Sequence, residues 1–272
     1  MIIRRSSLSK DGSGKDLSDG WVINFAVGCT HGCLFCYVDR IWRLHAANKL
    51  SPYYGLELGE WGRYLYVPSD MEKQIERTPW RRWRGRRLLM SSTHDPYLPE
   101  LYFPNMWPRK ILEAALPHGV RFTILTRSTL PVVDFDLYAK HRGQIMLMSS
   151  IPSLDNEFVR ITEPRAPPPE ARLAMLKKAK KLGVEVGVVV APIIMRHGWR
   201  EDLERLFEAL AELRPAVVYG ESLHIRGLNL ARLGAAGVEA DVGPAADREM
   251  GKLFEELLRR HGLRGAYWYE YD

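Results

Sequence analysis

Three cysteines, Cys29, Cys33 and Cys36, fall within eight residues in the segment GCTHGCLFCY, spaced C-x3-C-x2-C. They are the chain's whole complement, an odd number and too few for a disulfide framework. Three thiolates on one tight loop can hold three irons of a [4Fe–4S] cluster, whose usual complement is four cysteines. The fourth iron is then open to a substrate or cofactor. Gly28 and Gly32 let the backbone close around such a group. Two other readings stay open on these residues alone: a zinc site completed by His31, and three ordinary reduced thiols. Zinc knuckles favour C-x2-C pairs with a remote second pair, and the sequence has no second pair.

Such a loop needs a scaffold, and the sequence supplies a repeated one. An apolar run at residues 21–27 leads into the cysteines, and similar Val-, Ile- and Leu-rich runs recur at 87–91, 121–125, 145–149, 184–191 and 216–219. Their near-continuous hydrophobicity predicts strands buried on both faces, as in a parallel sheet. Between them, residues 169–182, 199–213 and 247–260 carry apolar side chains at helical spacing, the first stopped by Gly183. Six strand–helix units point to an α/β fold of barrel type, complete or partial, rather than an open doubly wound sheet; periodicity alone does not separate the two. Residues 48–86 break the rhythm. They form an insert rich in Tyr, Trp, Gly and Arg, with a short strand expected at 64–67 and a helix at 70–76. No internal repeat or long linker is present, so one domain, 20–272, is expected behind a polar, flexible tail at 1–19.

The 272 residues are 46% hydrophobic and 26% charged, which excludes disorder and collagen-like repeats. No run of about 18 apolar residues offers a membrane span. The first 20 residues lack the apolar stretch of a secretory signal, so the expected compartment is the cytoplasm, where thiols stay reduced. The net charge of +6 favours anionic partners. Within the insert, RTPWRRWRGRR at 77–87 interleaves arginines with Trp80 and Trp83. That pattern suits a nucleic-acid groove, although a solvated face whose tryptophans pack inward is the first expectation.

The cysteine motif, with aromatic Phe35 ahead of the third thiol, resembles the signature of radical S-adenosylmethionine enzymes. Further blocks (SSTHDPYLPE, ILTRS, SSIPSLD, EPRAPPPEARL and VVVAPII) resemble, in order, those of the spore photoproduct lyase-like branch, and together cover about residues 20–200. The resemblance implies a partial (β/α)6 TIM-like barrel with parallel strands and the cluster near their carboxyl ends. It implies two cofactors, a [4Fe–4S] cluster and S-adenosyl-L-methionine. Reductive cleavage of the latter would give methionine and a 5′-deoxyadenosyl radical that takes a hydrogen atom from substrate, in an oxygen-sensitive enzyme served by a reductant such as a ferredoxin or flavodoxin. A nucleic acid is the first expectation for substrate. The alternative from another class is a non-catalytic nucleic-acid binder with a structural metal site. Oligomeric state is left open.

Carried over residue by residue, the resemblance places Phe35 beside the adenine and Tyr37 in hydrogen-atom relay. Thr93 and Asp95 would meet the amino group of S-adenosylmethionine, and His94, unusual at its position, would face substrate. Arg127 stands where relatives often carry lysine for the methionyl carboxylate; a guanidinium keeps that role with bidentate geometry. Ser150 corresponds to a serine near ribose or carboxylate. Glu163 and Arg165 are expected either to pair with each other or to reach the cofactor. One departure bears on activity: the hydrogen-donor cysteine of spore photoproduct lyases reads as Ser92. A serine O–H bond is too strong for that task, so the chain departs from a standard lyase of this kind unless Tyr37 or Tyr97 donates.

Overall fold

The computed structural model describes residues 2–5 and 16–271. Its main sheet has eight strands: β1 (Ile2–Arg5), β2 (Trp21–Asn24), then β5 (Arg87–Met90), β6 (Arg121–Thr126), β7 (Ile145–Ser150), β8 (Glu185–Ile193), β9 (Val217–Ser222) and β10 (Gly265–Trp268). From β2 to β10 every neighbouring pair is parallel, and spatial order follows chain order. That is the topology of repeated right-handed crossovers. The sheet keeps two edges, β1 and β10, so the barrel is partial rather than closed.

Two edges differ from the sequence expectation. A seventh parallel strand, β10, extends the six expected units; its Gly-Ala-Tyr-Trp sequence lacks the branched aliphatic run that marks the others. At the opposite edge, Ile2–Arg5 is not a polar tail but a strand paired antiparallel with β2, Ile3 opposite Ile23. Leu17, also within the expected tail, is buried against Val22 and Leu89. The rest of that tail, residues 1 and 6–15, lies outside the described residues.

Helices cover the outer face. The helix Pro169–Lys181 buries Leu173, Leu176 and Ala179, and the helix Trp199–Leu213 buries Leu203, Leu206, Leu210 and Leu213, the rows their spacing predicts. Each such leucine contributes about 1.5–3 kcal/mol. The helix Pro244–Arg260 buries Met250, Phe254 and Leu257 and begins three residues earlier than expected, where Pro244 supplies a preset first turn. The insert holds a two-stranded ribbon, β3 (Val27–Gly28) with β4 (Leu65–Tyr66), and a short helix, Met71–Arg77. Gly28, at φ +95°, needs its missing side chain: a Cβ there would lie 2.2 Å from the Tyr64 carbonyl. The ribbon thus clamps the chain immediately before Cys29.

Two cavities lie at opposite ends of the strands. One of about 1010 Å³ sits at their amino ends, lined by Arg87, Met146, Glu185, Val217 and Gly265, and holds no thiol. The other, about 730 Å³, opens at the carboxyl ends, where barrel enzymes keep their chemistry.

Candidate active site

Cys29, Cys33 and Cys36 all line the carboxyl-end cavity. They are free thiols on a loop entering the helix Val38–Ala47. The loop's carbonyls are held by side chains from remote parts of the chain. Trp61 Nε1 donates to Cys33 O at 3.1 Å, and Asn229 Nδ2 to Phe35 O at 3.0 Å. Arg232 donates through Nε to Leu34 O at 2.9 Å and through Nη2 to Cys36 O at 2.6 Å, while its Nη1 meets Asp39 at 3.1 Å. Four successive carbonyls of the tight loop are therefore held by side chains from outside it, which fixes the loop that carries the thiols.

Burial pushes the Cys29 thiol up to about 12, helped by nearby Asp95. Burial raises Cys33 and Cys36 as well, and Arg127 opposes the rise at both. Buried thiols of this kind are neutral until a metal displaces their protons. Whether a cluster fits can be judged from the donors. Three sulfurs line one cavity with Arg127 near two of them, and His31 is turned elsewhere: Nε2 lies 3.2 Å from Asp95 Oδ2 and Nδ1 3.3 Å from Arg165 O. The donor set therefore suits three corners of a cubane better than a zinc ion completed by that histidine.

Phe35, Tyr37, Thr93, Asp95, Arg127 and Ser150 line the same cavity, as do Ser92 and His94. Asp95 is heavily engaged. Oδ1 accepts from Thr126 Oγ1 at 2.6 Å and from Tyr97 N at 2.9 Å, and Oδ2 accepts from Arg127 N at 2.7 Å. Burial alone would raise its carboxyl, but His31, Thr126 and the Arg127 amide outweigh it and hold the group well below the usual carboxylate range. Burial lowers His94 to about 3, so its ring is neutral near pH 7; it sits edge-on to Phe25 at 4.6 Å. Ser92 N donates to Asn24 Oδ1 at 2.9 Å. Tyr37 is raised by burial and by Glu221, and lies 6.2 Å from the His224 ring.

Arg127 carries the main electrostatic feature. Its Nε donates to Glu163 Oε1 at 3.2 Å and its Nη2 to Ala191 O at 2.9 Å, with the guanidinium 5.1 Å from the Phe35 ring centre. Burial disfavours the charge, yet the Glu163 carboxylate more than restores it.

Two expected site residues lie elsewhere. Tyr97 is fully buried away from the cavity: its hydroxyl donates to Asp134 Oδ2 at 2.7 Å and accepts from Tyr138 at 2.5 Å. Two residues beyond Asp95, the chain has already turned into the core. Arg165 is exposed on the outer side of the cysteine loop, its guanidinium over Gly32 and Gly62, and it does not pair with Glu163. Glu163 instead pairs with Arg127 and with the buried Arg172. Asn229, Arg232 and Arg172 were missed by sequence reading. Asn229 and Arg232 lie over 190 residues from the carbonyls they hold, so no local signal marks them. Arg172 sits in the EPRAPPPEARL block, the one available clue.

The Trp/Arg segment takes its packed form. Trp80 is buried and donates to Ile75 O at 3.1 Å, and Trp83 packs edge-on to Trp21 at 4.9 Å. It precedes β5, at the amino ends of the strands.

Comparison with known proteins agrees with this geometry. The profile of the Radical SAM superfamily matches residues 23–210. A protein of Acidianus two-tailed virus is 47% identical over 99% of this chain and 90% of its own length. Spore photoproduct lyase of Bacillus subtilis is 35% identical across a shorter stretch, 30% of this chain and 24% of that protein. A solved spore photoproduct lyase complexed with dinucleoside spore photoproduct superposes with a TM-score of 0.67 at 19% identity, over 97% of this chain and 80% of that one.

Proposed function

From the premise that this chain belongs to the Radical SAM superfamily, we propose that it is a radical S-adenosylmethionine enzyme of the spore photoproduct lyase-like branch, working in the cytoplasm on a nucleic-acid-related substrate. The observation that carries the reading is the meeting of three thiols, Phe35 and Arg127 in one cavity at the carboxyl ends of the strands. Cys29, Cys33 and Cys36 would hold a [4Fe–4S] cluster. When bound, that group supplies an electron to S-adenosylmethionine, giving methionine and a carbon radical that removes a hydrogen atom from substrate.

The chain's own residues bind and orient. Arg127 presents a cation for the methionyl carboxylate, within a wall shared by Ser150 and Thr93. The Phe35 ring gives the adenine an apolar neighbour, and its backbone is fixed by Asn229. Tyr37, which lines the cavity, would pass a hydrogen atom, whereas Ser92 has no thiol to do so. Arg4 from β1 lines the same cavity and adds positive charge, lying 5.9 Å from the Tyr53 ring; guanidinium beside an aromatic suits a phosphate next to a base. The likeness to a lyase whose structure holds a dinucleoside supports the same substrate class. A low-potential protein such as a ferredoxin or flavodoxin would supply the electron.

Anaerobic reconstitution tests this. The native chain should take up about four irons and, once reduced, form 5′-deoxyadenosine from S-adenosylmethionine. Cys33→Ala should lose the cluster and all turnover; retained activity in that variant would overturn the assignment.

A further inference from the structure

The EPRAPPPEARL segment is not used by the chemistry above, yet its two charged ends reach the core of the site. Arg172, in the helix Pro169–Lys181, has no solvent exposure: Nε donates to Pro167 O at 2.7 Å, Nη1 to Ser150 O at 2.9 Å, and Nη2 forms an ion pair with Glu163 Oε2. Glu163, equally enclosed, gives its other oxygen to Arg127 Nε at 3.2 Å. Three charges, two positive and one negative, thus form a line from the helix layer to the cavity wall. Only Arg127 is partly exposed, with 21% of its side chain open.

Charge counting gives the line a purpose. Arg127 with Glu163 alone would be a neutral pair, with little attraction left for an anion in the cavity. Arg172 takes up the glutamate's charge from behind, so the line presents one net positive charge at its open end. We propose that Arg172 is a positioning residue that acts through Glu163: it keeps the charge of Arg127 uncompensated and its guanidinium fixed, so that the cavity selects a ligand bearing a carboxylate. This rests on the reading of Arg127 as the carboxylate clamp for S-adenosylmethionine.

A merely structural arginine and this one differ in a charge cycle. Dissociation constants for S-adenosylmethionine and its decarboxylated analogue are measured by equilibrium dialysis on reconstituted, unreduced protein of verified iron content. R172M should weaken S-adenosylmethionine binding by about tenfold and lower the preference over the analogue by a similar factor, from loss of one neighbouring charge at a protein-like dielectric. R172K, which keeps the charge, should stay within about threefold of the native chain. The double variant E163Q/R172M restores the net charge and should recover most of the affinity, against the additive loss expected of two packing defects. Native-like binding by R172M, or a double variant no better than R172M, overturns the proposal. Should R172M not fold, E163Q decides: it adds net positive charge, so its preference for S-adenosylmethionine over the analogue should rise, and an unchanged or lower preference overturns the proposal. If the native chain binds no S-adenosylmethionine at all, the proposed function fails; if it binds both compounds alike, only the role of Arg172 does.

Discussion

The two ends of the parallel strands use arginine in opposite ways. At the carboxyl ends Arg127 is held between a carboxylate, a carbonyl and an aromatic ring, and its charge is directed into a cavity lined by thiols. At the amino ends Arg81, Arg82, Arg84 and Arg86 are all exposed and make no ion pair among the described residues, while their neighbour Trp80 is buried. In sequence the second group is the more conspicuous. A charge acts strongly where water is excluded and a partner fixes its position, and weakly where solvent screens it. Density of charge along the chain says little about either condition, so one arginine in a low-dielectric wall outweighs four at the surface.

The same contrast separates two tyrosines that the sequence offers as equals. Tyr37 faces the cavity; Tyr97 is locked to Asp134 and Tyr138 in the core. Tyr37→Phe should still cleave S-adenosylmethionine but fail to return the hydrogen atom, so 5′-deoxyadenosine formed per product should rise at least about tenfold, a difference of about 1.4 kcal/mol. Tyr97→Phe should leave that ratio unchanged and cost about 1–3 kcal/mol in denaturant unfolding, because a fully buried carboxylate and hydroxyl lose a partner. Equal effects on the ratio would remove the distinction between the two walls.

Much of the architecture is legible in sequence because burial on both faces leaves an unbroken apolar signature. Strands β5 to β9 and the helices Pro169–Lys181 and Trp199–Leu213 each fall within a few residues of their expected bounds. The edges are less legible. β10 carries Tyr and Trp instead of Val and Ile, and β1 is four residues long with two arginines, so neither shows a strand pattern. At the site, the thiols, Phe35 and Arg127 are legible because loop spacing and strand ends are local properties. The supports are not: Asn229 and Arg232 are ordinary helix residues until the fold brings them under the cysteine loop. Arg165 and Tyr97 show the converse, in that adjacency to a motif does not fix the side of the backbone on which a side chain emerges.

His94 separates the ends by pH. Its folded value near 3 lies below the unfolded value near 6.5, so between those limits the unfolded chain binds a proton that the folded chain does not. Stability should therefore be complete above about pH 6.5 and fall as pH drops towards 3, by at most about 1.4 kcal/mol per pH unit from this group. In urea titrations, His94→Asn should flatten the slope in that window. No change in slope would show that the ring is not held neutral.

The smallest effect is expected at the amino ends. Replacing Arg81, Arg82, Arg84 and Arg86 by glutamine removes four exposed, unpaired charges and leaves Trp80 and Trp83 packed, so unfolding free energy should move by no more than about 0.5 kcal/mol per site. Formation of 5′-deoxyadenosine should be unaltered, since the segment lies at the end of the strands opposite the thiols. Nucleic-acid binding discriminates further. If only the cavity engages the substrate, the slope of affinity against salt should stay as in the native chain, whereas neutralising Arg4 should lower it by about one for the phosphate no longer neutralised. A loss of slope in the quadruple variant instead would give the amino-end face a share in binding and reverse the order of importance drawn between the two ends.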